Sequence, residues 1–160
     1  MKTMAEQSTI HSTFVIERTY PAKPERVFRA FADPAQKRRW FIDDDHHKVE
    51  HFEMDFRVGG KEQACFRLGE GTPVAGMLCT NDTIYQDIVP NQRVVLASTM
   101  SLNGKCFSAS LVTFEFLPSA KGTDLICTHQ GAFFENSDGP EMRKEGWEKL
   151  LDNLSAEFTG

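Results

Sequence analysis

His51-Phe52-Glu53-Met54-Asp55-Phe56-Arg57-Val58 alternates polar and apolar residues without a break, and Gly59-Gly60 follows it. Successive side chains of a strand point to opposite faces. Phe52, Met54, Phe56 and Val58 therefore share one face, and the pattern predicts a half-buried strand over 51–58. The two glycines predict a turn. Residues 61–68 then alternate again, with Ala64, Phe66 and Leu68 on the apolar side. A strand–turn–strand unit with one greasy face needs a second layer to cover that face.

The chain beyond this unit supplies more strands. Gly69 to Pro73 reads as a turn, and residues 74–89 as a strand interrupted by Asn81-Asp82. Pro90-Asn91-Gln92 turns the chain into a strand over 93–101. Asn103-Gly104 is a strong hairpin signal. Strands over 107–117 and 123–133 follow, joined through residues 118–122. Toward the N-terminus, residues 13–20 are β-branched and aromatic and read as a first strand. Val27, Phe28, Ala30 and Phe31 fall at helical spacing over 25–32, with Pro24 tolerated in the first turn. Asp33-Pro34 breaks that helix, and Asp33 can cap a short second one ending at Arg39 or Trp40. Residues 43–51 are polar and read as a loop. Residues 1–12 read as a flexible tail, and residues 13–160 as one domain.

The covering layer lies at the C-terminus. Trp147, Leu150, Leu151, Leu154 and Phe158 recur at i, i+3, i+4, i+7 and i+11, one stripe of a helix of about five turns. Asp138 and Glu141 have N-cap and N3 chemistry. The hairpin-type connections imply an antiparallel sheet. The expected fold is α+β: a curved antiparallel sheet gripping a long C-terminal helix, with two short helices after the first strand.

With 160 residues the chain is long enough for one full core. Its formal net charge of −5 argues against a nucleic-acid partner and against electrostatic membrane binding. The basic run Lys37-Arg38-Arg39 reads as a solvated helix end. No apolar run is long enough to span a bilayer, and the N-terminus lacks a signal-peptide core. Cys65, Cys79, Cys106 and Cys127 show no C-x-x-C or zinc-type spacing and read as reduced, buried thiols. These features place the protein in the cytoplasm. The outlier is phenylalanine, 13 residues against two Trp and two Tyr. Such an excess either fills a core or lines a greasy hole inside one.

A set of motifs then resembles a known family. In order they are Val27-Phe28-Arg29-Ala30-Phe31 with Asp33-Pro34 and Trp40; Phe56-Arg57-Val58-Gly59-Gly60; Gly76; Ile88-Val89-Pro90 with Arg93-Val94-Val95; Val112-Thr113-Phe114; Gly122-Thr123-Asp124-Leu125; and Gly146-Trp147 with Leu150, Leu151 and Leu154. Over about residues 13–158 they resemble the family named for the activator of heat-shock protein 90 ATPase, C-terminal-domain type. That family lies within the START-like SRPBCC superfamily, with birch-pollen-allergen-like proteins and polyketide cyclases. The resemblance implies the helix-grip fold and a cavity between sheet and last helix. It places Trp40 and Phe41 at the mouth. The chain departs from the naming co-chaperones in having about 12 residues before the fold where they carry a further domain. It departs also in the polar Cys79-Thr80-Asn81-Asp82 and the acidic Asp43-Asp44-Asp45-His46-His47.

Combining face and resemblance, the expected ligand-binding residues are Trp40, Phe41, Phe52, Met54, Phe66, Met100, Phe114, His129, Trp147 and Leu151. Phe56 and Cys127 share the same face. No cofactor is expected. No metal site is expected either, because the Asp/His run at 43–47 is contiguous and reads as a solvated loop over the entrance. The first functional expectation is non-catalytic binding of a hydrophobic small molecule or lipid-like metabolite by a monomer or homodimer. The second is a cyclase- or dehydratase-like enzyme acting on an aromatic or polyketide-like substrate with His129 as acid–base. A chaperone-interaction module is the third.

Overall fold

The structure, a computed structural model, describes residues 8–159. Seven antiparallel strands form one sheet in the order β1-β7-β6-β5-β4-β3-β2. They are β1 Ile10–Tyr20, β2 Lys48–Met54, β3 Lys61–Arg67, β4 Leu78–Val89, β5 Arg93–Leu102, β6 Lys105–Ser119 and β7 Gly122–Phe133. Helices α1 (Pro24–Ala32) and α2 (Pro34–Lys37) follow β1, and α3 (Gly139–Leu154) follows β7, tightening into a 3-10 turn over Ser155–Phe158. The long helix lies against the inner face of the sheet, as the helix-grip expectation requires.

Several boundaries differ from the sequence reading, each for a pairing reason. β1 begins at Ile10 because its ladder with β7 continues out to Phe133. Of the expected tail, residues 1–7 lie outside the described residues. β2 is displaced toward the N-terminus. Lys48 pairs with Arg67 and Val49 with Phe66, and a bulge precedes the His51–Cys65 pair. The perfect alternation at 51–58 continues past the end of the strand. At Asp55 the chain leaves the ladder for a turn held by Gly59 N donating to Tyr85 O and Tyr85 N donating to Gly60 O. A Cβ at Gly60 would collide with the carbonyl oxygens of Asp55 and Arg57, so this turn requires glycine there. Val58 consequently stays exposed.

Asn81-Asp82 does not interrupt its strand. β4 runs unbroken through it, with Asn81 opposite both Ala64 and Met100. Asp33 caps α2 as expected, accepting from Gln36 N at 3.2 Å. Asp138 does not cap α3, because its carboxylate is taken up by Arg143.

After α2 the helix widens into a π turn over Arg38–Ile42, closed by Asp43 N donating to Arg38 O at 2.9 Å. The wider turn re-aims adjacent side chains. Trp40 points into the core, where Nε1 donates to Ala30 O at 2.8 Å. Phe41 points under α3, its ring 5.6 Å from that of Trp147.

The inner face of the sheet is filled at one end only. There Phe28, Phe31, Trp40, Phe114 and Phe116 pack edge to ring, with Val94 and Leu125 beside them. Tyr20 ties this end to α3, its hydroxyl donating to Leu151 O at 2.7 Å. Toward the other end, beneath α3, the floor carries Asn81, Thr83, Ser98 and Ser110. Those side chains are too small to reach the helix, and the layers stay apart.

Candidate functional site

The gap is a cavity of about 320 Å³. Its roof is α3 and the π turn, through Met142, Trp147, Leu150 and Phe41. Its floor is the sheet from β3 to β7, and Asp43, Asp44 and His47 border it from the loop before β2. The loop is held down there: Gly69 N donates to His47 Nδ1 at 3.1 Å, and the His47 ring stacks on Phe66. A wider hollow of about 980 Å³ lies along the outer face, among side chains such as Thr13, Ile84, Leu111 and Gln130. It is an open groove lined mainly by polar side chains of the solvent face, whereas the inner hollow has the apolar walls of a small-molecule site, so the inner cavity is the candidate site.

Register explains the floor. Glu62, Thr83, Ser98, Ser110 and Gly131 are successive cross-strand partners, so they form one row across five strands. The row on one side contains Tyr85, Leu96, Val112 and His129. The row on the other contains Ala64, Asn81, Met100 and Ser108. A mostly polar row thus runs between two rows of mixed apolar and polar residues.

One end of the polar row is ionic. Lys37 Nζ lies 3.1 Å from Glu62 Oε1, and both side chains are only 3% exposed. The Tyr85 hydroxyl donates to the same carboxylate oxygen at 2.5 Å. Burial and the neighbouring Glu62 charge push the Tyr85 phenol well above its ordinary pKa, so it remains a donor. The Lys37 ammonium also sits 4.5 Å from the centre of the Phe41 ring. Lys37 is therefore no solvated helix end. Of its basic neighbours, Arg38 pairs with Asp43 and Arg39 with Glu157.

Beyond the other end, Arg143 makes a two-pronged pair with Asp138 at 2.8 and 2.9 Å and donates to Ser108 Oγ at 2.8 Å. Between these pairs three buried polar atoms lack a hydrogen-bond partner among the described residues: Asn81 Oδ1, Ser110 Oγ and His129 Nδ1. All three residues line the cavity.

His129 is buried between Phe14 and Phe133, its ring 4.5 Å from that of Phe14 and nearly parallel to it. Burial, reinforced by the Arg143 charge, lowers its pKa from 6.5 to about 4. It is a neutral imidazole at pH 7 and a weak base there. The unfolded chain takes up a proton at this residue between pH 6.5 and about 4 while the folded chain does not, so stability falls as pH falls through that window. The wild type is expected to lose on the order of 2–3 kcal/mol more than His129→Gln between pH 7 and pH 4. Urea titrations at the two pH values measure this. Equal losses would show that the ring is protonated in the fold.

Of the ten residues expected at the site, five border the cavity: Phe41, Phe66, Met100, His129 and Trp147. Trp40, Phe114 and Leu151 do not. Each is at most 1% exposed and packed solidly in the core. Trp40 misses the mouth because the π turn swings it inward. Phe52 and Met54 share the inner face through their partners Ala64 and Glu62, but β2 is an edge strand and they stop short of the cavity. The sequence reading missed Lys37, Glu62, Asn81, Ser110 and Arg143. Glu62 was findable, because it precedes Ala64 by two residues and must share its face. Two cysteines match expectation: burial holds Cys79 and Cys127 as thiols, their pKa values raised to about 11 and about 12. Cys65 is half-buried, whereas Cys106 sits at the exposed start of β6. Among the described residues no three side chains of metal-ligating type converge, and no helix is long and apolar enough to cross a membrane.

Comparison with known proteins agrees with this architecture. Mll3558 from Rhizobium loti is 48% identical, with a TM-score of 0.83 over 94% of this chain and 99% of that one. An uncharacterised protein from Rhizobium leguminosarum is 36% identical, with a TM-score of 0.84 over 94% and 96%. An AHSA1-like protein from Aeromonas hydrophila, 21% identical, shares the fold at a TM-score of 0.64 over 91% of each chain. No protein of curated function matches. The family model described as activator of Hsp90 ATPase homolog 1-like protein matches residues 21–159. With nearly the whole fold inside that match, the chain belongs to the activator of Hsp90 ATPase homolog 1-like family.

Proposed function

We propose that the protein binds one small, largely apolar molecule between the sheet and α3, without transforming it. The observation that carries this reading is the cavity itself. Its volume of about 320 Å³ falls at the lower end of the range of small-molecule sites. Phe41, Phe66, Leu96, Met100, Val112, Trp147 and Leu150 supply apolar walls, and a few placed polar groups supply orientation. His129 enters as a neutral hydrogen-bonding group rather than a proton-transfer base, which supports binding over a cyclase- or dehydratase-like reaction. The same reading has the protein acting in the cytoplasm as a monomer or homodimer. Its partner is the ligand rather than a nucleic acid, a membrane or a chaperone.

A neutral apolar dye, N-phenyl-1-naphthylamine, is expected to brighten on mixing with the wild type. Met100→Trp places an indole in the cavity and should weaken binding by about tenfold or more. Leu111→Trp, on the outer face, should leave it unchanged. Circular dichroism checks that both variants fold. Absence of a signal with the wild type, or equal loss with the outer-face variant, would overturn the reading.

A further inference from the structure

The buried charges around the cavity are already matched. Lys37 is committed to Glu62 at 3.1 Å. Arg143 is committed to Asp138 through two hydrogen bonds. The remaining rim charges, Asp43, Asp44 and Lys149, belong to half-buried or exposed residues that water reaches. Bringing an ion into such a space strips it of water and offers no free countercharge in return, which is costly.

The floor is not apolar, however. Asn81 Oδ1, Ser110 Oγ and His129 Nδ1 are buried without a partner among the described residues. They lie on three successive rows of the inner face, on β4, β6 and β7. A buried polar atom left unmatched costs free energy. As they stand these atoms have almost no surface open to the cavity, so an occupant recovers that cost once the side chain turns toward it. Asn81 Oδ1 is a carbonyl oxygen and only accepts, so what completes it must donate a hydrogen. Ser110 can accept or donate, and so can His129 according to its tautomer. Thr83 and Ser98 already satisfy each other at 2.6 Å and make no such demand.

Resting on the binding function proposed above, we infer that the ligand is an uncharged molecule with an apolar body and at least one hydroxyl or N–H donor, selected over anionic and cationic relatives of the same shape. Asn81 and Ser110 are the residues that read the donor. Burial reinforces the matching, because His129, neutral at pH 7, adds no charge that would welcome an acid.

Four probes of one shape test this: 2-methylnaphthalene, 2-naphthalenemethanol, 2-naphthoate and the ammonium form of 2-naphthylmethylamine. Each competes at pH 7 against N-phenyl-1-naphthylamine on the full chain. The alcohol is expected to bind tightest, with the anion and the cation weaker by about tenfold or more. The methyl compound should be intermediate. Ser110→Ala and, separately, Asn81→Leu should each shrink the ratio of alcohol to methyl-compound affinity, measured within the same variant. Ser110→Ala is small enough to fold if Asn81→Leu does not.

If the naphthoate or the ammonium binds as well as the alcohol, the selectivity inference is wrong while the binding function stands. If the alcohol's advantage survives both substitutions, bridging water rather than the ligand completes these atoms, and the inference again fails. If no probe and no dye binds, the binding function itself is overturned.

Discussion

Lys37→Met with Glu62 left in place is expected to destabilise the protein by about 3–5 kcal/mol, because it strands a carboxylate inside the fold. Lys37 and Glu62 are each 3% exposed and bonded at 3.1 Å. After the substitution Glu62 keeps only the Tyr85 hydroxyl. Replacing the second partner as well should reverse most of the loss. The double variant Lys37→Met, Glu62→Met exchanges an ion pair for two flexible apolar side chains, and such exchanges are often neutral or stabilising. Urea midpoints for the wild type, both single variants and the double variant form a cycle whose coupling term isolates the pair. A single variant within about 1 kcal/mol of wild type would mean that water already screens the pair. The expected pattern has a functional corollary. If two methionines hold the fold as well as the ion pair does, stability does not explain why the ion pair is there. Its position against the cavity then does.

The sheet was legible because period-2 patterning and turn chemistry are local signals. Asn103-Gly104 and the residues around Pro90 mark the ends of real strands, and the C-terminal stripe buries Trp147, Leu151 and Leu154. Misreadings arose where a local pattern met a non-local constraint. The alternation at 51–58 is perfect, yet the ladder to β3 ends at Met54, because the 55–60 turn bonds to β4 instead. Asn81 and Asp82 read as an interruption, but backbone pairing on both sides carries β4 through them.

The site was half legible for a related reason. Large apolar residues announce an inner face, and Phe66 and Met100 were found that way; Trp147 came from the helical stripe and Phe41 from the family resemblance. What makes the space hollow is the opposite signal. Thr83, Ser98 and Ser110 are small residues at inner-face positions, and only the register shows that they line up. Lys37 illustrates the same limit. Within Lys37-Arg38-Arg39 nothing distinguishes the residue that turns inward, because its partner Glu62 is 25 positions away.

The phenylalanine excess therefore divides into two populations with different expected costs of removal. Phe31 belongs to the packed end. Its ring centre lies 4.9 Å from those of Trp40 and Phe114 and 5.1 Å from that of Phe116, and the residue is 1% exposed. Three rigid rings cannot collapse into the space it leaves, so Phe31→Ala is expected to cost about 3–5 kcal/mol. Phe66 borders the cavity, where part of its surface already faces empty volume. Phe66→Ala should therefore cost less, about 1–2 kcal/mol, because less packing is lost. Ligand binding should separate the two in the opposite sense. Phe31 does not touch the cavity, so once folded, Phe31→Ala should bind N-phenyl-1-naphthylamine like the wild type. Phe66→Ala removes a wall and should weaken binding severalfold. Urea midpoints at low temperature and dye titrations on the same samples read both effects. Equal stability losses for the two variants would mean that the cavity is closed by packing in solution. In that case the hollow end of the sheet, and with it the ligand site, would not exist as described.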